Sequence, residues 1–218
     1  MIMKTEERSM SKGVLAVVSG FSGAGKGTVM KRLMEKYHNY ALSVSVTTRN
    51  PREGEKHGRE YFFHTNSEVE EMIRNDQLLE YARYVDHYYG TPRSYVEDRL
   101  NEGKDVILEI EIQGAMQIKK KVPEAVLIFI TPPSMEELKN RLVGRGSEKP
   151  EVIESRLKRA SEEAEGIDKY DYLLVNDQVE DCVDALHEII LSEHLRTQRN
   201  CELINRIRQE SRIFMKGE

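Results

Sequence analysis

The sequence predicts an α/β fold: a parallel β-sheet flanked by helices, entered through a phosphate-binding loop. Three observations predict it. Short runs rich in valine and isoleucine alternate with helical patterns; the runs are nearly continuous in apolar residues; and the first leads directly into the glycine-rich stretch GFSGAGKGT at 20–28. Strands of a parallel sheet are covered by helices on both faces, so their side chains are apolar in both directions.

The elements follow in order. VLAVVS at 14–19 is the first strand, with a helix over 27–37 in which Val29, Leu33 and Met34 share a side. DVILEI at 105–110 precedes a helix over 113–121, AVLIFI at 125–130 precedes one over 134–142, and YLLV at 172–175 precedes one beginning at 179. Residues 43–89 break this rhythm with polar strand-like pieces, including REYFFH and LLEYARYV, around a short helix near 67–75. That segment reads as an inserted subdomain. A second break, GRGSEKPEVIESRLKRA at 144–160, opens with glycines and continues as a basic helix, which suits a mobile flap.

Length, charge and cysteine content narrow the function classes. A chain of 218 residues holds one sizeable domain with room for small insertions. Its net charge of -5 and scattered basic residues argue against a protein held to nucleic acid by overall charge. Cys182 and Cys201 lie far apart without a ligand cluster, which fits a reducing compartment. The first thirteen residues have no apolar signal core and no apolar run is long enough to span a bilayer, so the expectation is a soluble cytoplasmic protein without a membrane partner.

In GFSGAGKGT, Gly20, Gly25 and Lys26 satisfy the first seven positions of G-x-x-x-x-G-K-[ST]. Backbone N–H groups of Gly20, Phe21, Ser22, Gly23, Ala24, Gly25, Lys26, Gly27 and Thr28 are the candidates to line a nucleotide phosphate, helped by the positive end of the following helix. Lys26 is placed to neutralise β- and γ-oxygens. Gly27 departs from the motif by standing where a hydroxyl would meet Mg²⁺, with the hydroxyl displaced to Thr28. This GKGT ending resembles the loops of nucleoside monophosphate kinases, in which the metal depends less on that hydroxyl.

Arg49 and Arg52 lie three apart beside Pro51, and two guanidinium forks suit a phosphate monoester. Arginines in a polar loop are otherwise ordinary solvated residues. The wider pattern is more specific: SVSVTTRNPREGE at 43–55, YYGT at 88–91, EIQGA at 111–115 and RLVGRG at 141–146 together closely resemble guanylate kinase, from about residue 13 to about 197. The resemblance implies ATP and GMP as substrates, Mg²⁺ carried as Mg·ATP, and no confidently assigned protein ligand to the metal. It implies that Arg49, Arg52, Tyr61 and Tyr89 grip the phosphate of GMP, while Ser45, Glu80 and Thr91 bind guanine. A carboxylate at Glu80 suits guanine because it accepts from both N1–H and N2–H₂, and a site built that way rejects adenine by roughly 10⁴-fold. Taken alone, Glu80 in LLEYARYV reads as an outward polar residue, and Thr91-Pro92 reads as a helix N-cap with proline at N1. Glu111 is carried over to the GMP site although the family usually has the shorter aspartate there. Phe21 stands where proline is common and Glu60 where aspartate often is.

The same resemblance assigns Arg141, Arg145 and Arg156 to a lid that closes over the phosphates, with catalytic Lys26, and places Asn176 near the adenine of ATP. Asn176-Asp177 after a strand also suits a plain turn. Lys158 and Arg159 read as a solvated basic face. The expected organisation is a core at about 13–42, 92–143 and 161–197, a GMP-binding insert at about 43–91, a lid at about 144–160, and a C-terminal helical extension at about 198–218. From 179 the apolar positions 179, 183, 186 and 190 form one buried stripe. Leu203, Ile204, Ile207, Ile213 and Phe214 continue beyond it, either as a homo-oligomer contact or folded back on their own subunit. His187 and His194 read as surface residues. Two alternatives to an ATP:GMP phosphotransferase remain at this stage: a related kinase with another acceptor, and a non-catalytic guanylate-kinase-like binding module.

Overall fold

The computed structural model describes residues 12–144 and 149–215. Its main sheet contains five parallel strands: β1 (Leu15–Gly20), β2 (Tyr40–Leu42), β7 (Asp105–Glu109), β8 (Val126–Thr131) and β9 (Tyr172–Val175), in the order β2-β7-β1-β8-β9. β1 is central, pairing Val17 with Leu108 on one side and with Leu127 on the other.

The continuous apolar runs are explained by what covers each face. Ala16, Val18, Ile107, Ile128 and Ile130 point to one side, where they pack against Val29, Met30 and Leu33 of α1 (Lys26–Lys36) and Val183, Leu186 and Ile190 of α7 (Val179–Glu193). Leu15, Val17, Val106, Leu108 and Leu127 point to the other, against Val96 and Leu100 of α3 (Arg93–Asn101) and Ala115 and Ile118 of α4 (Ile112–Lys121). Each large aliphatic side chain so enclosed contributes about 1.5–3 kcal/mol of burial free energy. Residues of opposite parity thus serve two different helical layers, as a doubly covered sheet requires.

A second, four-stranded sheet is formed by β3 (Ser45–Thr47), β4 (Tyr61–Phe63), β5 (Leu78–Tyr84) and β6 (His87–Pro92), in the order β4-β3-β6-β5. The β5–β6 hairpin turns at Val85 and Asp86, both with positive φ. Beside the sheet lies α2 (Asn66–Arg74), whose start is set by a reciprocal capping box between Thr65 and Glu68. β5 is also tied to α4, because the Gln117 amide bonds both the N–H and the carbonyl of Tyr81.

Several local readings change. Thr91 is a strand residue rather than a helix cap: Pro92 occupies the cap position of α3 and Thr91 is fully buried. α3 itself carries too few apolar residues in RSYVEDRLN to show a helical stripe, since only Val96 and Leu100 are buried. Beyond α5 (Met135–Gly144), α6 (Pro150–Ala164) runs past position 160, held by Ile153, Leu157 and Ala160 against Phe21 and Phe129.

The two C-terminal histidines are not plain surface residues. His187 stacks on Tyr37 with ring centroids 3.6 Å apart and bonds the Tyr40 hydroxyl at 2.6 Å, and burial pushes its pKa down. His194 lies 2.7 Å from the buried carboxylate of Asp105. α8 (Cys201–Met215), by contrast, buries no residue, and Ile207, Ile213 and Phe214 are exposed.

Candidate active site

The phosphate loop hangs between β1 and α1. Gly20 must be glycine because a Cβ there would come within 2.1 Å of the Ile130 carbonyl oxygen. Gly25 takes a left-handed conformation, φ 91, at the head of α1, where no side chain caps the first-turn N–H groups. The Thr28 N–H turns back to the Gly25 carbonyl at 3.1 Å, and the N–H groups of Lys26 and Gly27 ahead of it are the donors that suit an anion. The Phe21 side chain belongs to the core, while its backbone remains part of the loop. It is buried and packs edge-on to Phe129 at 5.1 Å, which gives the bulky aromatic a place where the related loops have proline.

Lys26 folds over the loop, donating to the carbonyls of Gly20 at 2.6 Å and Phe21 at 3.1 Å. Desolvation lowers its pKa, and the carboxylates of Glu109, Glu163 and Glu111 partly oppose that shift. Gly27 and Thr28 are exposed at the start of the helix. Asn176, at the end of β9, is buried and donates to the Ala24 carbonyl at 2.8 Å. Its amide oxygen is also buried and has no hydrogen-bond partner. A plain turn role therefore does not describe Asn176, which is wired into the loop from below Gly25.

Two helices bring cations to the same loop. Arg141 on α5 donates to Glu137 at 2.8 Å and reaches the Ala24 carbonyl at 3.4 Å. Arg156 on α6 donates to the Ser22 hydroxyl at 2.7 Å, beside Gly23, which packs under Leu138 and Leu142. Arg145 lies outside the described residues.

On the second sheet, Arg49 sits over the rings of Tyr61 and Phe63, 5.2 and 5.8 Å from their centroids, and Tyr61 meets Tyr89 edge-on at 6.1 Å. The guanidinium of Arg49 is gripped at both ends by Glu55, at 2.8 and 3.0 Å, and the same carboxylate accepts the backbone N–H of Arg52 at 2.8 Å. Arg49 and the Arg52 backbone together hold the Glu55 carboxyl down at about 2. Glu55 was not a candidate from sequence, where its only signal is that it follows Arg52 by three positions. Ser45 pairs with Tyr61 in the strand register.

Glu80 and Thr91 face each other across β5 and β6, and the Thr91 hydroxyl donates to the Glu80 carboxylate at 2.7 Å. Burial raises the Glu80 pKa, the Thr91 bond opposes it, and the charge of Glu111 adds to the rise. Glu80 is 6% exposed and lies against the first turn of α4, where a Cβ on Gly114 would come within 2.9 Å of its carboxylate. Glu111 heads that same helix. Arg159 is a partly exposed residue of its helix, as expected, but it also pairs with Glu111 and with Glu163. Lys158 is exposed. No group of three or more His, Cys, Asp or Glu among the described residues is arranged to hold a metal ion.

The structure thus shows a buried carboxylate next to a buried hydroxyl, an arginine–tyrosine cluster on the same sheet, and a glycine-rich loop backed by lysine and two arginines. Comparison with known proteins shows the family. The sequence profile described as guanylate kinase matches residues 12–193. The chain is 54% identical over 191 residues to a protein of Lactococcus lactis subsp. lactis named guanylate kinase, covering 88% of this chain and 93% of that one. It is 56% identical over 189 residues to another so named from Bacillus cereus, covering 86% and 92%. Among solved structures, guanylate kinase from Anaplasma phagocytophilum superposes with a TM-score of 0.68 at 36% identity, covering 87% of this chain and 90% of that one. With the profile spanning both sheets and all the helices of the site, the chain belongs to the guanylate kinase family.

Proposed function

We propose that this protein transfers the γ-phosphoryl group of ATP to GMP, releasing ADP and GDP. The observation that carries the reading is the buried Glu80–Thr91 pair. A buried carboxylate costs free energy unless donors satisfy it. The N1–H and N2–H₂ edge of guanine supplies two, and adenine offers an acceptor at N1 instead. Arg49, Arg52, Tyr61 and Tyr89 then hold the GMP phosphate, Ser45 completes the guanine side, and Glu111 stands between acceptor and donor. Residues 43–91 are the GMP-binding insert in this reading, and 144–160 the lid.

The donor phosphates lie in the loop from Gly20 to Thr28. Lys26 leaves its two carbonyl partners for the β- and γ-oxygens, and Arg141 and Arg156 add charge where the transferred group becomes most anionic. The unpaired amide oxygen of Asn176 suits the exocyclic amine of adenine. Mg²⁺ bound with ATP would neutralise phosphate oxygens, and the Thr28 hydroxyl at the head of α1 and Glu109, whose charge acts on Lys26, are the residues that would face it in this reading. Transfer needs in-line alignment and exclusion of water, with no covalent enzyme intermediate. A cytoplasmic site of action belongs to the same reading, supported by ATP as donor and by two free cysteines.

The test is ADP formation with Mg·ATP and GMP, AMP or no acceptor, for wild type and Lys26→Ala. Turnover that requires GMP, ignores AMP and collapses in the variant is expected. Equal turnover with AMP, or none with GMP from folded protein, overturns the reading.

A further inference from the structure

We propose that Arg159 is a positioning residue for the acceptor site, acting through Glu111, and that the length of the Glu111 side chain is what makes this coupling possible. The inference rests on the GMP reading above. Arg159 lies on α6, a helix packed beside the donor loop, and holds Glu111 at 2.5 Å with one guanidinium nitrogen and Glu163 at 3.0 Å with another. Glu111 occupies the N-cap position of α4 yet makes no side-chain cap bond there. A shorter carboxylate at an N-cap ordinarily turns back onto the first-turn N–H groups. The extra methylene of Glu111 instead carries the carboxylate outward to the lid-side helix.

The consequence for the acceptor is electrostatic and geometric. Glu80 of β5 packs against the same first turn of α4, so two carboxylates flank that turn, one buried and one at its edge. The bond to Arg159 fixes the second in one orientation and offsets its charge toward Glu80 and toward an incoming phosphate. Glu163 gives the guanidinium a second anchor, so that Arg159 is itself held in place. Lys26 lies within the field of all three, which puts the Glu111–Arg159–Glu163 chain at the junction of donor and acceptor. A lysine could keep the charge of Arg159 but not its two-carboxylate fork.

The experiment is a four-protein cycle on the full chain: wild type, Arg159→Met, Glu111→Asp and the double variant, with Arg159→Lys alongside. KM for GMP, KM for ATP and kcat are measured, and GMP binding is titrated calorimetrically without ATP. Arg159→Met is expected to raise KM for GMP about fivefold, the scale of a partly exposed ion pair with a positioning role, while KM for ATP stays within about twofold. Arg159→Lys recovers part of that loss. In the Glu111→Asp background Arg159→Met adds less than about twofold, because the bond is already broken. Equal effects of Arg159→Met in both backgrounds, or equal rises in both KM values, overturn the coupling. Should Arg159→Met fail to fold, Arg159→Lys and Glu111→Asp must each show the same GMP-selective rise. A wild type that turns over GMP with an additive cycle sinks only this inference. A wild type without GMP turnover sinks the phosphotransferase reading, and the calorimetric cycle then reads the pair on GMP binding alone, with no binding overturning both.

Discussion

The Thr91 hydroxyl donates to the Glu80 carboxylate across the β5–β6 ladder at 2.7 Å, with both side chains buried. One oxygen of Glu80 is thereby oriented by the protein itself, and the carboxylate is presented at fixed angle to whatever enters above α4. Glu80→Gln replaces an acceptor-only group with one that also donates, so one guanine donor meets a donor. Loss of a hydrogen bond to a charged group is worth about 1.5–3 kcal/mol, and kcat/KM for GMP should fall about 10- to 100-fold with little change in KM for ATP. Steady-state kinetics with each substrate varied checks this.

Acid should weaken GMP binding through the same residue. Burial raises the Glu80 pKa above its ordinary value of 4.5, and in the proposed reading guanine binds the ionised form. Affinity is therefore full above the raised value and is lost as pH falls through it. For stability the sign is opposite: this carboxyl favours the fold below 4.5, and that contribution is lost as pH rises through its raised pKa. Titration of GMP binding from neutral pH down to the acid limit of folding should show the loss, and Glu80→Gln should flatten it.

Glu55 holds Arg49 and the Arg52 backbone in one loop, which in the proposed reading pre-orients a phosphate clamp. Glu55→Gln should raise KM for GMP by about tenfold through lost orientation, with kcat changed far less. Because the folded pKa of Glu55 is depressed to about 2, its contribution to the fold is present above 4.5 and lost as pH falls toward 2. The clamp itself should be insensitive to pH across the neutral range, which separates it from the Glu80 effect.

Asn176→Ala removes the amide that supports Ala24 and should raise KM for ATP while costing about 1–3 kcal/mol of stability, the scale for a buried group left without its partner. Gly25→Ala is expected to be worse. Its Cβ would come within 2.5 Å of the Asn176 amide nitrogen from a left-handed backbone, so thermal unfolding should report a loss even though the chemistry gains no charge.

Deletion of residues 201–218 tests the C-terminal helix. No residue of α8 is fully buried, Leu203 and Ile204 being half-buried, and its exposed Ile207, Ile213 and Phe214 suit contact with a second copy. Light scattering should show the full chain larger than a monomer and the truncated chain monomeric. A monomer in both cases would rule that contact out.

Four of the five strands of the main sheet were legible because their cause is local, whereas the three-residue edge strand β2 was not read. Strands covered on both faces must be apolar at nearly every position, and VLAVVS, DVILEI and AVLIFI show that without any knowledge of their partners. The loop was equally legible, since Gly20, Gly25 and Lys26 answer to backbone geometry within a few residues. Glu80 needed the family resemblance, because a carboxylate in LLEYARYV has no local mark of burial. α3 was missed because a helix anchored by only Val96 and Leu100 shows no stripe.

By itself, then, the sequence determined the α/β class, the glycine-rich loop between β1 and α1 and, through several separated motifs, the family. The tertiary structure decided what depends on distant partners. Thr91 proved to be a strand residue bonded to Glu80, eleven positions away, rather than a cap. Glu55 joined Arg49 through a bidentate bond. Arg159, with nothing in its own helix to distinguish it from Lys158, crossed to Glu111, and His194 to Asp105. Charge and hydrogen-bond partners are chosen by through-space proximity, and proximity between residues tens of positions apart exists only once the sheet and its covering helices have closed.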